Sequence, residues 1–511
     1  MKNSIKRFSS GRPVAGWIPF FLSLAVSFSI STKGQESFGE WAENYLSRPA
    51  FETASIGVHV EILKSGKVVY SRLGQKLLKP ASCAKLFSGA LLLDTMGPEY
   101  RIKTPVYVSS RPLGGEVQAL AVSGRGDVSM GARFFNWDYS KGLSRIVEAI
   151  QKSGIRKISG PIIAEDLWFR NAQFGTGWTW DDLQYYYGAP VSSLVNDDNT
   201  VDLIISPGAA PGDPVKITGN PEPLTLEFAN RAKTVSPGNR SQGIEISRDL
   251  NSNIVVVSGS LTANSSPVSE AVSVPDPALW FGRRLDQALN MAGIETSGQV
   301  IVKDSGQSIV DEPEWSLLTT AESWTVAEML PRMMKRSQNL HAHTYLLLAG
   351  RQRRDHERFK STEAAGIASL REFCVKAGIP SSQMLLDEGS GLSRSSLVSP
   401  MALTRLLTYM HKHQHAEVFI NSLPVGGVDG SLRYRLRGNE TKGRVKAKTG
   451  SIKHVKCLSG FVERPDGETV VFSIMVNAYD EDSATISGKT IIDTLVSSLA
   501  TRPLLPVSQT Q

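Results

Sequence analysis

Cysteine is scarce in this 511-residue chain: Cys83, Cys374 and Cys457 are the only three, and they lie far apart. No C-x-x-C pair exists to hold a structural zinc, and an odd, scattered trio cannot form the dense disulfide framework of a small secreted scaffold, so at most one bridge is open to it. A G-x-S-x-G nucleophile elbow is absent, which removes the usual α/β-hydrolase arrangement. No Lys/Arg block interleaved with aromatics occurs, so nothing points to nucleic acid. The formal net charge is +7. Four of those charges, Lys2, Lys6, Arg7 and Arg12, fall in the first 29 residues, where no acid occurs.

Those charges precede the one long apolar run, residues 14–26, and the small residues Ser27, Ser29 and Ser31 follow it. Basic, apolar and small in that order, residues 1–34 read as a signal peptide cleaved between 29 and 34; Pro19 and the short run weigh against an uncleaved anchor. The mature chain then carries only about +3, and export to the periplasm or beyond, without strong membrane association, is expected. The amphipathic stretch 484–499 carries Lys489 and Asp493 instead of a basic face, so it is expected to pack on a sheet.

Apolar periodicity divides the rest. Residues 54–62 and 68–70 read as strands, and a helix following Ser82 should end at Gly97. Residues 103–274 alternate short β-like runs with Gly/Pro/Asn/Asp turns, around one helix at 143–153. Helices dominate from 275, and strands return at 445–448, 455–462 and 469–476. The expected architecture is therefore an α/β (α+β) domain split into 35–102 and 275–505, interrupted by a β-rich insertion at 103–274, with a flexible tail at 506–511.

Three short patterns lie along this frame. Ser82 precedes Lys85 by three residues at a helix start, so the amine reaches the hydroxyl on one face, beside free N–H groups that favour an oxygen anion. By itself S-x-x-K is better read as a helix cap and a surface lysine, since a chain with many Ser and Lys matches it by chance. Ser337-Gln338-Asn339 lies between two helical stretches, where a loop can aim a hydroxyl and an amide into a cleft. Lys448-Thr449-Gly450-Ser451 lies on a strand, where Gly450 admits close approach of another backbone and the other side chains suit a carboxylate. Ser82-Lys85 is the sole S-x-x-K, and Lys448-Thr449-Gly450 the sole K-T-G, in the chain.

Together these strings resemble the S-x-x-K, S-x-N and K-T-G signature of penicillin-binding proteins and class A β-lactamases. The chain is similar to the class C low-molecular-mass penicillin-binding proteins, the D-alanyl-D-alanine carboxypeptidase/endopeptidase family of bacterial peptidoglycan. Pro80-Ala81-Ser82, Ser123-Gly124-Arg125-Gly126-Asp127, Trp180-Asp181-Asp182-Leu183, the 387–393 stretch and Leu423-Pro424-Val425-Gly426-Gly427 carry the likeness across nearly the whole mature chain. The resemblance implies a serine-transpeptidase/β-lactamase-like fold without cofactor or metal. It implies Ser82 as nucleophile forming an acyl-enzyme, Lys85 as its base, Ser337 as proton relay and Asn339 holding Lys85 and the substrate amide. Lys448, Thr449, Gly450 and Ser451 would hold the terminal carboxylate, with the N–H groups of Ser82 and Ser451 as oxyanion hole. Substrates would be stem peptides, inhibitors β-lactams, and Asp182 a contact for the amine of diaminopimelate. A β-lactamase or esterase on the same scaffold, or an inactive peptidoglycan-binding protein, are the alternatives. Cys83 departs from the family's usual hydroxyl residue after the nucleophile.

Overall fold

The computed structural model describes residues 36–506 apart from 171, 240 and 481–484; the expected leader at 1–34 and the tail beyond 506 lie outside the described residues. An antiparallel five-stranded sheet forms the centre. Its strands are β1 (Ser55–Ile62), β2 (Val68–Arg72), β3 (Val445–Ile452), β4 (Val455–Glu463) and β5 (Thr469–Asn477), in the order β2-β1-β5-β4-β3. Sequence-distant segments thus complete one sheet. Side chains alternate across β4: Val455, Cys457 and Phe461 enter one core, Leu458 and Val462 the other. That period of two is what a strand buried on both faces requires.

Helices α1 (Phe38–Leu46) and, at the end of the chain, Gly488–Thr501 cover one face, with Phe38, Ala42, Ile491, Leu495 and Leu499 buried on it. The terminal helix packs on the sheet as its composition requires. The opposite face carries the helical layer. At its centre runs α2 (Lys85–Met96), whose Leu86, Phe87, Ala90, Leu91, Leu92 and Leu93 are all buried. Each such leucine contributes roughly 2 kcal/mol of burial, so the mount beneath the S-x-x-K turn is rigid. Gly97, at φ 78°, ends the helix where expected. Beside α2 lie α3 (Val326–Arg336), opened by a Thr325/Glu328 capping box, and α4 (Asn339–Arg351). Between them Ser337 alone takes a left-handed conformation, φ 62°, ψ 43°, an uncommon state for a residue with a Cβ and one that turns its side chain out of the helix line.

The insertion holds a second five-stranded sheet, ordered Val300–Lys303, Ile162–Glu165, Leu120–Ser123, Arg101–Val108, Ser316–Thr325. Helices Ser144–Lys152 and Pro277–Met291 pack on it through Ile146, Ile150, Phe281, Leu285 and Leu289. Smaller sheets between 200 and 273 form a further unit with its own core. An insertion ending at 274 does not match this packing: the sheet takes two strands and a helix from 275–325, so the chain returns to the catalytic unit only at α3. An amphipathic helix announces that it covers a sheet, not which one.

Candidate active site

Ser82 sits in a 3-10 turn, Ala81–Ala84, that runs straight into α2. The Lys85 amine is buried and lies 2.8 Å from Ser82 Oγ. It also donates to Asn339 Oδ1 at 2.6 Å and to the Ser390 carbonyl at 2.7 Å. Two of these three neighbours are oxygens that can only accept; the third is a hydroxyl. A neutral amine has two hydrogens and a lone pair, so satisfying both acceptors leaves the lone pair facing the Ser82 proton. Burial drives the Lys85 pKa well below its ordinary value, and the charge of Lys448 pushes the same way. Both effects favour the form able to take a proton.

Lys448 projects from β3 and donates to Ser337 Oγ and to the Thr449 carbonyl, each at 2.8 Å. It too is buried, which lowers its pKa to about 8. Thr449 Oγ1 meets Ser431 Oγ at 2.6 Å. A Cβ on Gly450 would stand 2.6 Å from the Pro80 carbonyl, so only glycine lets β3 lie this close to the Ser82 turn. The three patterns therefore meet, and with Ser451 they line a cleft of about 400 Å³.

Asn339 does more than hold the lysine. Its Nδ2 gives one hydrogen to the Tyr187 carbonyl at 2.7 Å, which ties the insertion to the Lys85 site. Tyr186, Tyr187 and Asp182 complete that wall of the cleft. Asp182 is nearly buried, accepts from Thr179 Oγ1 at 2.7 Å, and lies 3.7 Å from the Arg394 guanidinium. Neighbouring Trp180 is 74% exposed. The aromatic residues of 180–187 are thus split between cleft wall and solvent.

Sequence reasoning assigned no role to Glu388, Ser390, Gly391 or Arg394. Buried Glu388 accepts backbone N–H bonds from Ser390 and Gly391, both at 2.6 Å, and a longer one from Ser393. It thereby folds the loop that presents the Ser390 carbonyl to Lys85. The 387–393 stretch carries a family likeness and its Gly389-Ser390-Gly391 string announces a tight loop, but neither names the loop's target. Cys83 also finds a place: its side chain is buried away from the cleft and donates to the Lys448 carbonyl at 3.3 Å. All three cysteines are free and buried, and Cys374 lies beside Met384, so it does not pair with Cys457. His413 bonds Asp94 on the far side of the helical layer, and the His411 ring lies against Phe461.

A sheet flanked by helices, with a serine and a buried lysine on the first turns of the central helix and a second lysine on the adjacent strand, defines the penicillin-recognising serine hydrolases. Within that class, residues 40–501 match the D-Ala-D-Ala carboxypeptidase 3 (S13) family, and the chain belongs to it. It is accordingly a hydrolase of the serine carboxypeptidase kind. A D-alanyl-D-alanine carboxypeptidase of Actinomadura sp. is 32% identical over 446 residues, 85% of this chain and 80% of the relative. The D-alanyl-D-alanine carboxypeptidase DacB of Haemophilus influenzae is 24% identical over 461 residues, 89% of this chain and 91% of the relative. The crystal structure of penicillin binding protein 4 from the same organism superposes with a TM-score of 0.74 at 23% identity, covering 88% of this chain and 96% of that one. Among the described residues no helix is long and apolar enough to cross a membrane.

Proposed function

We propose that the protein cleaves the bond after the penultimate D-alanine of peptidoglycan stem peptides, both at free D-Ala-D-Ala ends and at cross-links. The observation that carries this reading is the Lys85 amine, held by two pure acceptors with its remaining valence toward Ser82 Oγ. Ser82 attacks the carbonyl while Lys85 takes its proton. The carbonyl oxygen, now an anion, rests on the N–H groups of Ser82 and Ser451; each such donor is worth roughly 3 kcal/mol. Collapse expels the amine, which receives a proton through Ser337, and leaves an ester on Ser82. Water then frees the enzyme. Lys448, Thr449 and Ser451 hold the carboxylate of the leaving residue, and Gly450 keeps their strand close. Asp182 takes the amine of a diaminopimelate side chain, and Arg394 beside it offers a guanidinium to the same residue's carboxylate. The basic, apolar and small-residue succession in residues 1–34 supports export through a cleaved leader, to the compartment where peptidoglycan lies.

The experiment is mass spectrometry of the intact protein after penicillin treatment, with the adduct located by peptide. One penicilloyl group on Ser82 that persists for minutes is expected. An adduct elsewhere, or none, overturns the mechanism; rapid turnover of the drug without a lasting adduct favours a β-lactamase.

A further inference from the structure

Beyond the catalytic cleft lies a second concavity of about 640 Å³, between α3, the insertion's Phe134 and Trp324, and the loop carrying Val428, Gly430 and Arg433. We propose that it binds the acidic acceptor peptide of a cross-link, the half released as the leaving group. The inference rests on the function proposed above and names a part of the substrate that function leaves unplaced.

Continuity is the first argument. Arg336 lines both the catalytic cleft and this groove, and it directly precedes Ser337 in the chain. On the other side Ser431, in the loop that walls the groove, bonds Thr449. The groove therefore leaves the cleft at the end marked by Ser337 and Thr449. In the proposed reaction those are the residues that face the departing amine and its carboxylate, so the groove continues in the direction of the leaving group.

Charge is the second. Arg332, Arg336 and Arg433 are exposed on its walls, and none of the three forms an ion pair among the described residues. Arg332 lies over Phe134 and Arg433 over Tyr434, contacts that orient a guanidinium without neutralising it. Arg332 and Arg336 stand four residues apart on α3, hence on one face. The acids nearby are already engaged. Glu328 accepts from Thr325 in the helix cap, and Asp429 accepts from Lys335 at 2.5 Å and from the Val425 N–H at 2.9 Å. Unpaired guanidinium forks suit carboxylates, with which they form parallel hydrogen bonds.

Substrate chemistry supplies the third. Hydrolysis of a free D-Ala-D-Ala end releases one alanine, which ends at the Lys448 site and would never reach Arg332 or Arg433. Hydrolysis of a cross-link releases a whole stem peptide: the diaminopimelyl carboxylate beside the freed amine is the one held at Lys448, while the glutamyl α-carboxylate and the terminal alanine carboxylate stay free. Only the cross-linked substrate has acidic groups to extend into this groove, and the apolar Phe134, Trp324 and Val428 surfaces would accommodate the chain between them.

The test compares kcat/KM for a purified cross-linked tetrapeptide–tetrapeptide dimer with that for a monomeric pentapeptide, in wild type and in the Arg332→Ala/Arg433→Ala double variant. The rate of acylation by penicillin reports an intact cleft in each protein. Loss of two charge contacts should lower the ratio of dimer to pentapeptide kcat/KM about tenfold, and an Arg332→Lys/Arg433→Lys variant should recover part of it. Raising salt should depress the dimer rate of the wild type more than its pentapeptide rate. A ratio unchanged in the alanine variant, or a fall shared equally by both substrates, overturns the inference. A wild type that cleaves pentapeptide and never the dimer overturns it as well while sparing the carboxypeptidase reading. A wild type that neither takes up penicillin nor cleaves pentapeptide removes that reading and this inference together.

Discussion

The ammonium of Lys448 donates to Ser337 Oγ across 2.8 Å, which joins the strand pattern to the loop pattern on the cleft side opposite Lys85. Being donor-only while charged, it leaves the Ser337 proton free to point at a leaving amine. Burial lowers this pKa to about 8. Lys448 is therefore cationic below about pH 8 and loses its charge above it, and with that charge would go the hold on a carboxylate proposed for it and its orientation of Ser337. Lys85, depressed further by burial and by Lys448, must instead be neutral to act. For a peptide with a free C-terminal carboxylate, kcat/KM should rise with pH as Lys85 deprotonates and fall again near pH 8. The same peptide with an amidated C-terminus should bind more weakly and show a shallower alkaline fall. A flat profile from pH 7 to 10 for the carboxylate substrate would contradict the assignment of Lys448.

Glu388 should reveal itself through acid stability. Burial works to raise its pKa, but the His343 imidazole, 3.7 Å away, and the Ser390 N–H outweigh burial and leave it at about 2. A carboxyl depressed from its ordinary 4.5 contributes stability above about pH 4.5 that disappears as pH falls toward 2, here about 3 kcal/mol. Glu388→Gln would set an NH2 group against N–H donors. The variant should be less stable than wild type by about that amount at pH 7, and in denaturant titrations the gap should narrow below about pH 4.5 and close only near pH 2. Its acylation by penicillin should also slow, because the Ser390 carbonyl would no longer be held against Lys85.

Gly391 offers a steric test of the same loop. It has φ 80°, and a Cβ there would lie 1.9 Å from the carbonyl of Ala81, itself at φ 46° beside Ser82. Gly391→Ala must displace either the loop or the turn, and should cost roughly 3 kcal/mol or more with a large loss of acylation rate. Gly378, at φ 72° with nothing within 4 Å, is the control. Gly378→Ala should cost about 1 kcal/mol and leave acylation unchanged. Equal behaviour of the two variants in melting and acylation assays would show that the contact with Ala81 is unimportant.

The contrast between these residues shows what could be read from the chain alone. Ser82, Lys85, Ser337, Asn339 and Lys448 were legible because short strings carry their side-chain chemistry and flanking periodicity places them on a helix start, a loop and a strand. α2 was legible because Leu86 to Leu93 leave no polar face. The Ser390 and Tyr187 carbonyls were not, since a backbone oxygen has no signature in sequence and becomes part of a site only when tertiary folding aims it. The end of the insertion was hidden for a related reason. Phe281, Leu285 and Leu289 form a stripe that fits either sheet, and nothing local distinguishes the two.

The role proposed for Asp182 is recognition of the third stem residue. Its carboxylate reaches the cleft from the insertion, held by Thr179 at 2.7 Å and balanced by Arg394 at 3.7 Å. A substrate amine would find there a charge already fixed in place and largely shielded from water, where a charge-assisted hydrogen bond is worth roughly 2 kcal/mol. Asp182→Asn keeps the shape and the Thr179 contact but removes the charge. For a pentapeptide with diaminopimelate at the third position, kcat/KM should fall about thirtyfold, chiefly through KM. For a peptide with alanine there, which has no amine to lose, the value should stay within about twofold of wild type. Acylation by benzylpenicillin, which carries no amine for Asp182 to hold, should also be unaffected. Equal losses on both peptides would mean that Asp182 only supports the 180–187 wall, through the Tyr187 carbonyl that binds Asn339, and selects nothing.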